Sequence, residues 1–446
     1  AHGGAIYRNK GVTVTNSTFT NAIATRGFGG AIYSKGSVTM TNSNFTNTRA
    51  YSGAIYIVSD SGGSVTFINS TFTNATKIDV YSGTVIVTNS DNITVTVTNS
   101  TFINNTASNG GGAIYSSRNS NVTVVDSTFI GSGIYVSYGN VTVDDSTFTD
   151  ARVSGSNVIV DDSTFTNAGI STSDGNVTVT DSIFTNIIAN YYGGAVMGIN
   201  VIVINSTFTN VTSRASSSSS SGGMGGAIYG SKYVTVINSN FTNTTSTVDS
   251  GDGYSGGAIY SKGNLIVTNS TFTNTTTSCK NRNHGGGAIY SKGNVNVTNP
   301  IFTNTTSSSA GRTSYGGAIS TDYNSEANII VSNSIFTNTT ASYGGAIYGG
   351  NIEVFDSIFT NTTASYGGAI YSTKDLNVTN STFKDTAGGA IDGVGSVSVS
   401  DSTFTKNSGR VISGSNVTVF DSTFTNNTDG AISGSNVTVF DSTFTN

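Results

Sequence analysis

The chain has 446 residues, a formal net charge of −5, and only 10% charged side chains. Such a dilute, slightly acidic surface excludes a nucleic-acid binder, which needs a basic footprint. With two Leu (Leu265 and Leu376), two Glu (Glu326 and Glu353) and no Gln, the chain lacks most of the best helix formers. Its Val, Ile, Thr, Phe and Tyr suit pleated, half-buried strands instead. No apolar stretch approaches the roughly 18 residues of a membrane span, and Cys279, the one cysteine, allows no internal disulfide.

The first phrase, residues 1 to 21, reads AHGGAIYRNKGVTVTNSTFTN. It holds three β-type runs, GAIY, VTV and TFT, separated by Gly, Ser or Asn. The phrase returns to the end of the chain, anchored by a phenylalanine in [N/D]-S-x-F from Phe19 to Phe444, about 18 times. No unit can bury its few Val, Ile and Phe alone, whereas stacked units bury them as ladders. The expectation is all-β: one right-handed parallel β-helix over 1–446, of about 18 coils with three short strands each. At strand spacing this is a rod of roughly 85 Å.

Period-2 alternation sets the side-chain directions. The valines of VTV and the Phe of TFT point in. In GAIY the Ile points in, which turns Ala and Tyr out. Val14 and Phe19 are an odd number of residues apart, so the chain must bend between them, at Asn16. Its equivalents are Asn or Asp, which tolerate the left-handed backbone of a sharp corner. The Asn of F-x-N, such as Asn21, should point inward by alternation, in a buried amide ladder.

Further along, the corner residue is Asp in four successive coils, Asp126, Asp145, Asp162 and Asp181, with Asp144 and Asp161 beside two of them; Asp401, Asp421 and Asp441 form a second run. Stacked like charges call for full solvation or a bridging cation, so the four are calcium candidates as well as a solvated corner. The coils of 209–335 carry enlarged lateral loops, among them VTSRASSSSSSGGMGG and TTTSCKNRNHGGG. These act as spacers or as binding loops. Lys232, Lys262 and Lys292 recur in register near them, as a solvated ladder or as a site for an acidic glycan.

Catalytic chemistry is scarce. The two histidines, His2 and His284, each precede the glycines of a GGAI word, and neither has a nucleophile partner. No His/Cys metal-ligand spacing occurs and Trp is absent, so no enzyme and no cofactor are expected beyond calcium and N-linked glycans. Sequons abound, but so do Asn, Ser and Thr, and position carries more than number. In N-V-T the Val points in and the Asn out, which makes Asn121, Asn140, Asn176, Asn296, Asn377, Asn416 and Asn436 the glycosylation candidates. Outward Thr-x-Thr rows raise ice binding, although Ile183, Ile301, Ile335, Ile358 and Lys384 interrupt them.

GGAI stands intact at Gly3, Gly29, Gly111, Gly225, Gly256, Gly286, Gly316, Gly344, Gly367 and Gly388, and FTN closes many phrases, as at Phe19-Thr20-Asn21. The two words resemble the Pmp-type repeat of the polymorphic outer-membrane proteins of chlamydiae, with its GGA[ILV] and FxxN tetrapeptides. Here the Asn follows Phe by two residues more often than by three. The resemblance implies a β-helix at the cell surface or outside the cell with adhesive or structural work; it does not imply the transporter barrel. The final FTN falls where another GGAI would begin, so a piece of a longer array, or copies stacking head to tail, is expected. The function expected is a structural filament or adhesin stalk. The alternative is a carbohydrate-binding or carbohydrate-cleaving β-helix, and a minor one an ice-binding protein. Expected partners are the protein itself and host or matrix glycans.

Overall fold

Short β-forming runs cut by Gly, Ser and Asn leave no segment long enough for a stable helix. The computed structural model describes residues 3–58, 62–77, 86–88, 91–106, 112–116, 118–190, 193–215, 224–249, 251–311, 313–322 and 326–445. The fold is a right-handed parallel β-helix with no helix among the described residues. It comprises two compact units, residues 1–187 and 188–446.

Register is residue on equivalent residue. In the first unit Val12 pairs with Val38, and the row continues through Val65, Val95, Val122, Val141 and Val158 to Val177. The phenylalanines from Phe19 to Phe184 stack face to face with centroids 4.5–4.9 Å apart. In the second unit Phe208 to Phe444 do the same at 4.6–4.9 Å. These distances are the strand spacing itself. A side chain placed in register once is therefore stacked in every coil. Burial of one such Phe contributes roughly 1.5–3 kcal/mol.

The bend expected at Asn16 is present, with φ 49°, and it recurs at each described [N/D]-S step, for example Asn42, Asp126, Asn269 and Asp421. The Ser that follows is structural. Ser43 Oγ donates to Thr41 O at 2.9 Å and accepts from Ser17 N at 3.3 Å, which ties one corner to the next coil. A second corner corrects the expectation for F-x-N. Asn21, Asn47 and Asn74 also sit at φ 52–54° and are exposed. Alternation fails there because the chain turns again two residues past the Phe, and a left-handed corner throws its side chain outward. The amide ladder exists, but on the surface: Asn47 Nδ2 donates to Asn21 Oδ1, and Asn74 Nδ2 to Asn47 Oδ1, each at 3.3 Å. Even Lys406 takes this position, at φ 55°.

The GAIY reading also needs correction. Ile points in, but so does Ala: Ala31, Ala54 and Ala113 are buried. The Ala lies in the bend before the strand begins, where period-2 alternation does not yet apply. Its carbonyl accepts from two N–H groups of the preceding coil, as Ala369 O does from Ala346 and Ile347. Gly344, at φ +60°, shows why the glycines precede it, since a Cβ there would lie 2.0 Å from Ile347 O. The Tyr does leave the core, but neighbouring segments cover it in many coils, as at Tyr260 and Tyr290.

In most coils the GAIY and VTV runs are separate strands, joined by a turn that Ser closes: Ser261 Oγ donates to Gly263 O at 2.9 Å. Among the described residues the two runs merge into one strand in four coils, Val196–Ile204, Ile228–Ile237, Ile412–Phe420 and Ile432–Phe440. The last two share the sequence ISGSNVTVF and pair like on like.

The enlarged loops also form strands. In the second unit Ile188–Ala189, Thr212–Ala215, Thr245–Val248, Thr276–Cys279 and Thr306–Ser309 make a five-stranded parallel sheet. The first unit has a smaller counterpart, Ile23–Phe28, Arg49–Ser52 and Thr76–Lys77. Residues 216–223, the Ser-rich stretch, lie outside the described residues, as do His2 and Gly111.

Candidate functional site

The lateral sheet of the second unit ends in a segment that leads back to GGAI, and a buried side chain fixes it. Asn283 is fully buried. Its Nδ2 donates to Thr277 Oγ1 (2.8 Å), Ser307 Oγ (3.2 Å) and Ser308 O (3.0 Å), and its Oδ1 accepts from Gly285 N (3.2 Å). With residue 283 held inside, its neighbours Arg282 and His284 turn outward.

Outside, His284 joins a column of rings. It lies between Tyr254 and Tyr315 at 4.7 and 5.2 Å, and the stack continues to Tyr343 (5.4 Å) and Tyr366 (4.9 Å). Tyr315, Tyr343 and Tyr366 immediately precede GGAI, in the word SYGGAI at 314–319, 342–347 and 365–370, whereas one residue, Ser255 or Gly285, separates Tyr254 and His284 from it. The signal was in the sequence: a ring one or two residues before GGAI. His284 is thus a member of a repeating position rather than an isolated residue before the glycines.

A second column comes from the Tyr of GAIY. Tyr229, Tyr260 and Tyr290 stack at 5.3 and 5.4 Å, and Tyr348 and Tyr371 at 5.6 Å. Ser320 occupies the rung between Tyr290 and Tyr348. The columns meet edge on: Tyr315 packs against Tyr348 at 4.6 Å and 55°, and Tyr343 against Tyr371 at 5.2 Å and 88°. Along this seam runs a groove of about 730 Å³ lined by Arg282, His284, Thr313, Tyr315, Tyr343, Tyr348 and Tyr371.

Burial holds the His284 imidazole below its ordinary value, against the pull of Asp252 and Asp322, so the ring is neutral at physiological pH. Burial pushes the Tyr290 phenol well above its usual range, and Asp322 adds to this. Lys262 and Lys292 lie over the rings of Tyr229 and Tyr254 at 5.8 and 5.5 Å. Both are packed against aromatic faces, a cation–π arrangement. The expected ladder of three lysines is corrected: Gly230 pairs with Ser261 and Val234 with Leu265, which sets Lys232 opposite Gly263, so Lys262 and Lys292 correspond but Lys232 does not. Cys279 is buried, its thiol pushed up by that burial, and it donates to Gly251 O at 3.0 Å.

The other candidates lie elsewhere. Asp126, Asp145, Asp162 and Asp181 occupy exposed left-handed corners of the first unit, at φ 46–50°. Among the described residues no three His, Cys, Asp or Glu side chains converge as a metal-holding group. Asn121, Asn140, Asn176, Asn296, Asn377, Asn416 and Asn436 are all exposed. Several are linked along the axis: Asn140 Nδ2 donates to Asn121 Oδ1 at 3.2 Å, and Asn436 Nδ2 to Asn416 Oδ1 at 2.8 Å. None of these borders the groove, and no helix among the described residues is long and apolar enough to cross a membrane.

Residues 1–155 match the family model described as the right handed beta helix region. No curated protein matches the chain. The first third of the sequence is thus similar to right-handed β-helices by family as well as by geometry.

Proposed function

We propose that the chain is a structural protein of the cell surface or extracellular space, a filament or adhesin stalk without catalytic activity. The observation that carries this is the continuity of the ladders. Core Phe, corner Asn and buried Ser repeat through successive coils of each unit in one register. A site-bearing enzyme would concentrate unusual residues at one place, whereas here the sequence is devoted to extending one stiff element. The GGAI and FTN words, similar to Pmp-type surface repeats, support the location. The exposed N-V-T asparagines would carry N-linked glycans on such a surface, and self-association would extend it.

Electron microscopy and fibre diffraction of the native protein test the reading. Straight rods or fibres with an axial spacing near 4.7–4.8 Å are expected. Compact particles with no fibrous form would overturn it. Glycopeptide mass spectrometry should place sugars on the N-V-T asparagines. A second reading, a carbohydrate-binding β-helix, is favoured by one observation, the aromatic groove.

A further inference from the structure

We propose that the groove between the two aromatic columns binds an acidic polysaccharide, a chain of pyranose rings bearing carboxylates, with Arg282 as its charged contact. The argument begins with what the rings offer. Along the outer column the tyrosines and His284 cover one another's faces at 4.7–5.4 Å, and Tyr348 and Tyr371 of the inner column do so at 5.6 Å, although Ser320 breaks that column above Tyr348. Most of the negative π-faces are thereby occupied, and the groove meets chiefly ring edges, which carry the positive end of the quadrupole. A neutral sugar that binds by laying its apolar face on an aromatic ring finds few free faces. A ligand rich in acceptors and negative charge meets ring edges, the hydroxyl of Thr313 and the guanidinium of Arg282.

Charge on the groove's own lining points the same way, although Asp252 and Asp322 beside it pull against it. Among the described residues lining the groove, Arg282 is the one that carries a full charge at neutral pH, since His284 is held neutral. The nearby acids do not line it, and Asp252 accepts from the Arg282 backbone N–H at 3.2 Å. Arg is also the side chain best shaped to take a carboxylate in two parallel hydrogen bonds.

The repeat distance selects a glycan over an acidic peptide. The outer column advances in steps of 5.2, 5.4 and 4.9 Å from His284 to Tyr366. An extended chain of linked pyranose rings advances by close to one such step per sugar. An extended peptide advances 3.2–3.4 Å per residue and would fall out of phase with the rings. The site stands apart from the filament reading, because a chain that forms no fibre would still present it.

The test is calorimetric titration of the full chain with a hyaluronan oligosaccharide, in which glucuronate alternates with a neutral sugar. A neutral chitin oligosaccharide and polyglutamate serve as comparisons. Hyaluronan should bind most tightly, and more tightly at low than at high salt. Arg282→Met should weaken it about 10- to 100-fold, the value of a charge-assisted hydrogen bond. Arg282 is exposed, so the variant should keep its circular dichroism and melting temperature, and its fibre formation where the parent forms fibres. Thr313→Val should weaken binding several-fold. Absence of hyaluronan binding, equal binding of chitin, equal binding of polyglutamate, or an unaltered affinity in Arg282→Met would each overturn the proposal.

Discussion

Two stretches solve the same packing problem at different lengths. Around Asp126–Asp181 the coils are 17 to 19 residues long, as the Ser-to-Ser corner bonds show. Between Asn205 and Asn338 they are 30 to 34 residues long. The core is the same in both: Phe148 and Phe302 are each fully buried in equivalent stacks. What differs is the outside. In the short coils Tyr115 stacks on Tyr135 at 5.5 Å, and the column then gives way to Ser154 and Ser171. In the long coils the extra residues build a further sheet and a second aromatic column, and together they bury Tyr260 and Tyr290 completely. Added length is thus invested in an outer layer, and the groove lies in that layer.

If the inner ladder is common to both stretches, Phe148→Ala and Phe302→Ala should each cost about 3–5 kcal/mol, measured by urea unfolding. A much smaller loss in either would mean that its coils are held together by something other than the Phe stack. The outer column should separate the two stretches. Tyr290→Ala should cost roughly 3 kcal/mol, as for a fully buried aromatic, whereas Tyr135→Ala, half-buried, should cost about 1 kcal/mol. Equal values would erase the difference described above.

The corners give a smaller effect. Asn304, at φ 54°, donates from Nδ2 to Asn274 Oδ1 at 3.0 Å. Asn304→Ala should cost about 1–2 kcal/mol, because Ala resists the left-handed backbone, while Asn304→Gly should cost less. Equal losses would assign the effect to the amide ladder rather than to the backbone. Smallest of all, Asp145→Asn should raise stability by a few tenths of a kcal/mol by relieving the stacked carboxylates. If calcium bridges those corners, the substitution would lower the melting temperature instead, and only with calcium present.

The coil, its strands and the first corner were legible because each is local: a period-2 run, an odd spacing between Val14 and Phe19, an Asn or Asp at the join. The F-x-N corner was misread because alternation was carried across a turn that Asn21 itself makes. The groove was harder to foresee, although Tyr343 and Tyr366 stand in the repeated word SYGGAI. Each of those rings has its meaning only against the ring one coil away, and the 23 to 31 residues between them differ in length from coil to coil. Asn283 was overlooked for a similar reason. Its partners Thr277, Ser307 and Ser308 come from two coils, and nothing in the local sequence marks it as the pin.

The paired strands Ile412–Phe420 and Ile432–Phe440 carry one consequence for heredity. Since they are identical and match residue for residue, a copying error that adds or removes one whole repeat in the gene creates no new junction in the protein. The coil before and the coil after meet the same partner as before. Such a protein can change its reach across a population in steps of one coil, roughly 4.8 Å each, without any step passing through an unfoldable intermediate. Selection can then act on length as on a graded trait, independently of the outer layer that carries the groove.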